Sequence, residues 1–278
     1  MKRLPAILLA LSIALTVCAW AEEDDGGEGI LYFPDEAQTD LAVSDTDLSS
    51  VEPFAPDTLE KVIVGKDDRV KVKKPKQYPY SAIYYMDGKY ECGCRWTGTG
   101  FMVSENTLLT CAHLLVCKEH GKWAKKMTFY FGYKNRKNYL YRYKSTWYGW
   151  VGTKFPNGYS SDAERDDWAV VRLDKKVGEK TGWFGMRFCS DDDLSGRSFC
   201  VAGFGGEDKL RYAWGEVTNV WEKQIGYTND TLPGNSGSPV FDDNNYAVAI
   251  NTSHRSSQNI GRRLMSDVRQ VMVNNGLL

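Results

Sequence analysis

From Val62 onward the chain is a succession of short apolar runs, at residues 62–64, 82–86, 100–103, 107–110, 127–131, 168–173, 198–204, 239–241 and 247–250. Each is strand-length, rich in β-branched and aromatic residues, and bounded by clusters of Gly, Asn, Asp and Lys. A strand that short is stable only beside other strands, so a body of 217 residues written this way has to close into barrels or pack as a sandwich. Only the tail departs. There Ser266 stands where a helix cap would, Val268, Val271 and Met272 share one helical face, and Asn275-Gly276 supplies the stop. The expectation is an all-β body ending in one helix, with no internal repeat.

The segment before Val62 has a different texture. Met1-Lys2-Arg3, an apolar run at residues 4–17 and then Ala19-Trp20-Ala21 have the charged, apolar, small-x-small order of a secretory signal peptide cleaved after Ala21. The run is short for a bilayer, and no later segment is long or apolar enough to span one, so no stable membrane insertion is expected. Residues 22–61 hold 13 acids against one base, Lys61, together with Pro34, Pro53 and Pro56 and no apolar periodicity. Such a segment cannot bury a core alone and reads as an acidic propeptide or linker. Of 35 bases, Lys2, Arg3 and Lys61 precede Val62, which leaves residues 62–278 with 32 bases against 23 acids. The expected organisation is a signal peptide over 1–21, an acidic propeptide over 22–61 and a basic body over 62–278, released outside the cell or at its surface.

Export changes how cysteines are read, because thiols outside the reducing cytosol tend to pair. After signal removal Cys92, Cys94, Cys111, Cys117, Cys189 and Cys200 remain. Cys189 and Cys200 flank a turn-rich stretch, which suggests a local staple, and the other four are expected to pair among themselves. The same cluster, with His113 and His120, also has ligand types that suit a structural zinc module. An exported chain favours disulfides, so no metal and no cofactor are expected.

Gly234-Asn235-Ser236-Gly237-Ser238-Pro239 is the densest chemical signal. A serine between two glycines on a tight turn has an exposed hydroxyl, and neighbouring backbone N–H groups can converge on one point. The competing reading is a plain surface turn. A serine hydroxyl needs a base, and the chain has three histidines. His113 comes after the run Leu108-Leu109-Thr110-Cys111-Ala112, at the end of an expected strand. His120 lies in a charged stretch, and His254 lies just past the run at 247–250. A carboxylate must fix the tautomer of such an imidazole, and Asp167, leading into Trp168-Ala169-Val170-Val171-Arg172-Leu173, fits better than Asp166 beside it.

Taken in order, Thr110-Cys111-Ala112-His113, Asp167 to Leu173 and Gly234 to Pro239 resemble the three motifs of the chymotrypsin-like serine peptidases. The resemblance implies a double six-stranded antiparallel β-barrel with a C-terminal helix and a catalytic cleft between the barrels. It implies His113 as general base, Asp167 as its orienting partner, Ser236 as nucleophile, and the N–H groups of Gly234 and Ser236 as the oxyanion hole. A narrower resemblance, to the secreted bacterial glutamyl endopeptidases, runs through Val64-Gly65-Lys66-Asp67-Asp68-Arg69, Tyr78-Pro79-Tyr80, Gly182-Trp183-Phe184-Gly185, Asp230-Thr231 and Gly237-Ser238-Pro239-Val240-Phe241. That branch implies a mature N-terminus at Val62 after propeptide removal. In trypsin-like zymogens the new ammonium pairs with the aspartate before the nucleophile; here that position is Asn235, and no ion pair can form.

Specificity is less plainly written. Glutamyl endopeptidases are expected to hold the substrate carboxylate with a threonine and a histidine. Thr231 matches the first, while the second falls on Asn251, with His254 three residues on. An amide donates a hydrogen bond but brings no charge. Asp230 stands where trypsin keeps the aspartate that selects Lys or Arg. The expectation is preference for Glu or Asp at the cleaved position; the alternatives are Lys/Arg or another preference, or an inactive protease-fold binding protein. The basic runs around Lys71-Val72-Lys73-Lys74 and at residues 122–126 come with no nucleic-acid motif and read as a solvated face that could steer acidic substrates. The expected partners are protein or peptide substrates, not nucleic acid, and the expected state is a monomer.

Overall fold

The apolar runs become strands where neighbours cover them on both sides. The computed structural model describes residues 30–32, 63, 66–143, 147–152, 160–206, 209–255 and 257–278. The expected signal peptide, almost all of the acidic leader, and Val62 lie outside them. Among the described residues no helix is long and apolar enough to cross a membrane.

Two curled systems, antiparallel but for the short β10–β15 pairing, succeed one another along the chain. The first contains β1 (Ile30–Tyr32), β3 (Ile83–Tyr90), β4 (Arg95–Met102), β5 (Thr107–Thr110), β6 (Ala124–Phe131), β7 (Tyr141–Tyr143), β8 (Trp147–Val151) and β9 (Ala169–Leu173). Their order is β1-β8-β9-β5-β4-β3-β6-β7, so a strand of the acidic leader sits on one outer edge. The second system contains β2 (Val70–Lys71), β10 (Gly185–Met186), β11 (Ser198–Gly203), β12 (Arg211–Val220), β13 (Gln224–Tyr227), β14 (Pro239–Phe241), β15 (Tyr246–Arg255) and β16 (Gln258–Arg263). Pairing runs β15-β14-β11-β12-β13-β16 and returns from β16 to β15, which closes six strands into a barrel and removes its edges. β2 attaches outside on β12 and β10 on β15. The all-β double-barrel architecture is therefore as expected, with one refinement: the second barrel closes, and the first remains an open curled sheet.

Alternation along β11 decides which core each residue serves. Phe199 and Val201 point into the closed barrel with Val217, Ile225, Tyr227, Val240 and Val248, while Cys200 and Ala202 point to the opposite face and join the larger core around Ile83, Phe101, Leu108 and Phe184. That parity overturns the local staple. Cys189 packs against the barrel interior, Cys200 lies on the other side of its strand, and both are free thiols. Cys111 does not pair either. It is fully buried and donates to the Asn251 carbonyl at 3.1 Å.

The tail forms α1 (Ser266–Asn274), burying Val268, Val271 and Met272 as the periodicity indicates. The cap differs: Met265 occupies the N-cap position and Ser266 is the first helical residue. The Asp267 carboxylate takes the Val268 N–H at 2.8 Å and the fully buried Arg262 guanidinium, and Thr107 donates to the Leu277 carbonyl at 2.9 Å. The helix is thereby tied to both systems.

Candidate active site

Antiparallel pairing of β5 with β9 sets Thr110 opposite Ala169, so the chain leaving β5 lies beside the chain entering β9. Three residues after Thr110, in a short 3-10 turn, comes His113; two residues before Ala169 comes Asp167. The Asp167 carboxylate is fully buried and accepts twice from His113: from its backbone N–H at 2.9 Å and from its ring Nδ1 at 2.7 Å. A carboxylate accepting at Nδ1 keeps the ring proton there and leaves Nε2 as a free base. Burial pushes the imidazole pKa below its ordinary 6.5, against the Asp167 charge. Burial pushes Asp167 upward, but the His113 ring and N–H more than offset it and hold the carboxyl below its usual range. Asp166 is placed differently. It accepts from the Trp168 indole N–H at 3.0 Å and lies 3.8 Å from the Arg262 guanidinium, serving the framework.

The serine turn belongs to the second system and is pressed against the first. Gly234 has φ +98 and Gly237 has φ +87. A Cβ on Gly234 would stand 2.4 Å from the Phe204 carbonyl oxygen, and one on Gly237 would stand 2.0 Å from the Thr99 carbonyl oxygen. Both glycines are thus required by conformation and by space. Gly237→Ala is expected to cost about 2–4 kcal/mol of stability, read as a lower denaturant midpoint; a change below about 0.5 kcal/mol would contradict this close docking.

Thr99 of β4 is the fixing point, and sequence reasoning did not single it out. Its N–H donates to the Ser236 carbonyl at 2.9 Å, its hydroxyl donates to the Gly234 carbonyl at 2.7 Å, and its own carbonyl accepts from the Thr110 hydroxyl at 2.7 Å. The available signal was Gly98-Thr99-Gly100 within a strand, where glycine marks a close approach by another part of the chain. Asn251 completes the brace. Its carbonyl accepts from both the Gly237 N–H at 2.8 Å and the Cys111 thiol at 3.1 Å, so the residue after Ser236 and the residue two before His113 meet on one oxygen.

The structure thus joins His113 to Asp167 directly and sets the Ser236 turn against the same segment. Among the described residues the Ser236 hydroxyl has no hydrogen-bond partner, His113 included, and the N–H groups of Gly234 and Ser236 donate to no protein acceptor. The neighbouring N–H of Asn235 does, to the Leu232 carbonyl at 2.9 Å. The two unengaged amides flank the partly exposed serine.

The expected specificity residues are held in several different ways. Asp230 is buried and accepts from the Asp68 N–H at 2.9 Å. Burial, with Asp230 nearby, pushes the Asp68 carboxyl upward. Thr231 is buried and donates to Asn259 Oδ1 at 2.7 Å. The Asn251 amide accepts from the Tyr227 hydroxyl at 2.6 Å and donates to the Asn235 carbonyl at 3.0 Å. His254 is exposed near the end of β15. Asn235 Oδ1 is buried without a partner, while Val62, whose ammonium was considered for that place, lies outside the described residues.

An imidazole–carboxylate pair on one β-system, with a glycine-flanked serine turn of the other docked beside it, is the arrangement of the chymotrypsin-like class of hydrolase. The profile of the trypsin-like peptidase domain matches residues 98–250, which takes in all three segments. An extracellular metalloprotease of Bacillus subtilis is 31% identical over 219 residues, 74% of this chain and 67% of that protein. A glutamyl endopeptidase of Bacillus licheniformis is 28% identical over 229 residues, 77% and 69% of the two chains. Among solved structures, a Glu endopeptidase in complex with MPD superposes with a TM-score of 0.66 at 23% identity, over 78% of this chain and 99% of that one. The chain belongs to the trypsin-like serine peptidase family.

Proposed function

We propose that this chain is a secreted serine endopeptidase that cleaves peptide bonds through an acyl-enzyme, using Ser236, His113 and Asp167. The observation that carries the reading is the doubly bonded His113–Asp167 pair, whose carboxylate at Nδ1 favours the tautomer with Nε2 as a free base, next to the segment on which the serine turn docks. Ser236 Oγ attacks the carbonyl carbon while Nε2 takes its proton, and the oxyanion that forms is stabilised by the Gly234 and Ser236 amides. The imidazolium returns its proton to the leaving amine. Water then attacks the ester through the same base. No metal enters these steps.

The test is covalent. A fluorophosphonate should label the mature protein once, at Ser236, and abolish hydrolysis, and brief exposure to a chelator should leave the labelling unchanged. Labelling elsewhere, or hydrolysis that persists after complete labelling, would overturn the reading. The chelator arm bears on the metalloprotease name of the Bacillus subtilis relative.

The base must be neutral to act, and its neutral form is present above the folded-state pKa. Because burial lowers that pKa, the acid limb of kcat/KM should have its midpoint below 6.5, with activity lost only as pH falls through it. A midpoint above 6.5 would show that the Asp167 charge, not burial, dominates.

The preferred cleavage is after Glu or Asp, supported by the relatives named glutamyl endopeptidase and by the basic body. Asn251 is uncharged and its amide is committed to Tyr227 and Asn235, so it brings no positive charge to an acidic side chain. The discrimination of Glu from Gln is therefore smaller than a charged pocket would give. Matched peptides differing only at that residue measure it, and a preference for Lys or Arg would refute the assignment.

A further inference from the structure

One cluster is left unused by this chemistry. Cys92 and Cys94 flank Gly93 in the turn between β3 and β4; Cys117 and His120 lie in the loop that leads from the His113 turn to β6. One donor atom from each of the four residues lies within 4.8 Å of every other. We propose that Cys92, Cys94, Cys117 and His120 form a structural zinc site that clamps the β3–β4 turn to the loop after the general base.

The geometry agrees with the ion. With Zn–S near 2.3 Å and Zn–N near 2.0–2.1 Å, a tetrahedral centre separates a sulfur from a nitrogen ligand by about 3.6 Å. His120 Nδ1 lies 3.5 Å from Cys117 Sγ and 3.7 Å from Cys94 Sγ. Those spacings fit two ligands of one metal. The three thiols also face one another closely enough to share hydrogen bonds, which brings three soft donors and one imidazole together.

The backbone is shaped for ligation as well. Gly93 takes φ +98 between the two cysteines, and Tyr90 N–H to Cys94 carbonyl and Gly93 N–H to Tyr90 carbonyl, each 2.9 Å, close a tight turn. The facing turn is closed by Gly121 N–H to Cys117 carbonyl at 2.8 Å, with Gly121 at φ +61. The Cys94 N–H points at Cys92 Sγ, and the Glu119 and His120 N–H groups point at Cys117 Sγ, as outer donors that orient the two sulfurs. The Glu119 carboxylate, 3.9 Å from His120 Nδ1 and mostly exposed, is the other charged neighbour of the imidazole.

Three thiols cannot all pair into disulfides, and the fourth cysteine of that stretch, Cys111, is held at the Asn251 carbonyl. His113 is likewise bound to Asp167. The ligand set is thus narrower than the six residues considered from sequence. Its place in the fold gives it a purpose: Tyr90, two residues before Cys92, donates its hydroxyl to the His113 carbonyl, so the clamp stiffens both supports of the base.

The Ser236→Ala protein, which cannot digest itself, is the material for the test. Purified from zinc-supplemented medium and dialysed against metal-free buffer, it should hold one zinc per chain by elemental mass spectrometry. Alkylation in denaturant without reductant should find Cys92, Cys94 and Cys117 all reduced. Cobalt(II) added to the metal-stripped protein should give the thiolate charge-transfer band and the intense visible bands of a tetrahedral site. Cys94→Ser should abolish those bands, and His120→Ala should weaken and shift them. Less than about 0.1 zinc per chain, an octahedral cobalt spectrum, or a disulfide between any two of the three cysteines would overturn the proposal. None of these readouts depends on proteolysis.

Discussion

Ser236→Ala is expected to lower kcat by about a million-fold, with the folded state essentially unchanged, because the serine is asked to supply the bond-forming atom itself. Loss of a nucleophile of this type costs on the order of 10⁶ in kcat, or about 8 kcal/mol of barrier. The structural cost is small. The hydroxyl has no hydrogen-bond partner among the described residues, so its removal leaves no buried group unsatisfied. The contacts that hold the turn come from its backbone: the Ser236 carbonyl on Thr99, the Gly234 carbonyl on the Thr99 hydroxyl and the Gly237 N–H on Asn251. Thermal unfolding should therefore coincide with that of the parent, while single-turnover hydrolysis falls to the level left by the amide pair. A loss of less than about a hundred-fold, with contaminating protease removed, would show that another group attacks the substrate.

Legibility in the sequence tracks how local each signal is. Asp167 precedes a buried strand, His113 comes after one, and the serine lies in a turn only glycines permit; each can be read within eight residues, and the fold has only to set the segments side by side. The C-terminal helix was legible for the same reason, through Val268, Val271 and Met272, although its capping position, which depends on how Met265 leaves β16, shifted by one residue. Contacts between distant faces were not legible. Nearness of Cys189 and Cys200 in sequence suggested a bridge, whereas parity along β11 turns Cys200 into the larger core and Cys189 packs against the barrel one. Asn251 looked like a pocket residue by its place in a motif, and its amide is engaged by Tyr227 and by the serine turn. Thr99 lies more than a hundred residues from the groups it holds, and no local pattern states what a strand threonine will meet.

Asp167→Asn is expected to reduce kcat by about 10⁴ without unfolding the protein, and the two bonds of the carboxylate say why. One oxygen accepts the His113 backbone N–H at 2.9 Å, a donor that cannot be reversed, so the asparagine must place its carbonyl oxygen there. Its NH₂ then faces ring Nδ1, where the carboxylate accepted at 2.7 Å. Two donors cannot share that contact, so Nδ1 becomes the acceptor and the ring proton moves to Nε2, the atom that must receive the serine proton. The imidazolium formed in the reaction also loses its counter-charge. Asp166→Asn is the control: its oxygen serves the Trp168 indole, and Arg262 keeps Asp267, so kcat should stay within about ten-fold and the effect should appear in stability. Loss of the His113 Nδ1 proton resonance in Asp167→Asn, with that resonance retained in Asp166→Asn, should accompany the fall in activity. If the two variants lost comparable activity, the assignment of Asp167 as the orienting carboxylate would be wrong.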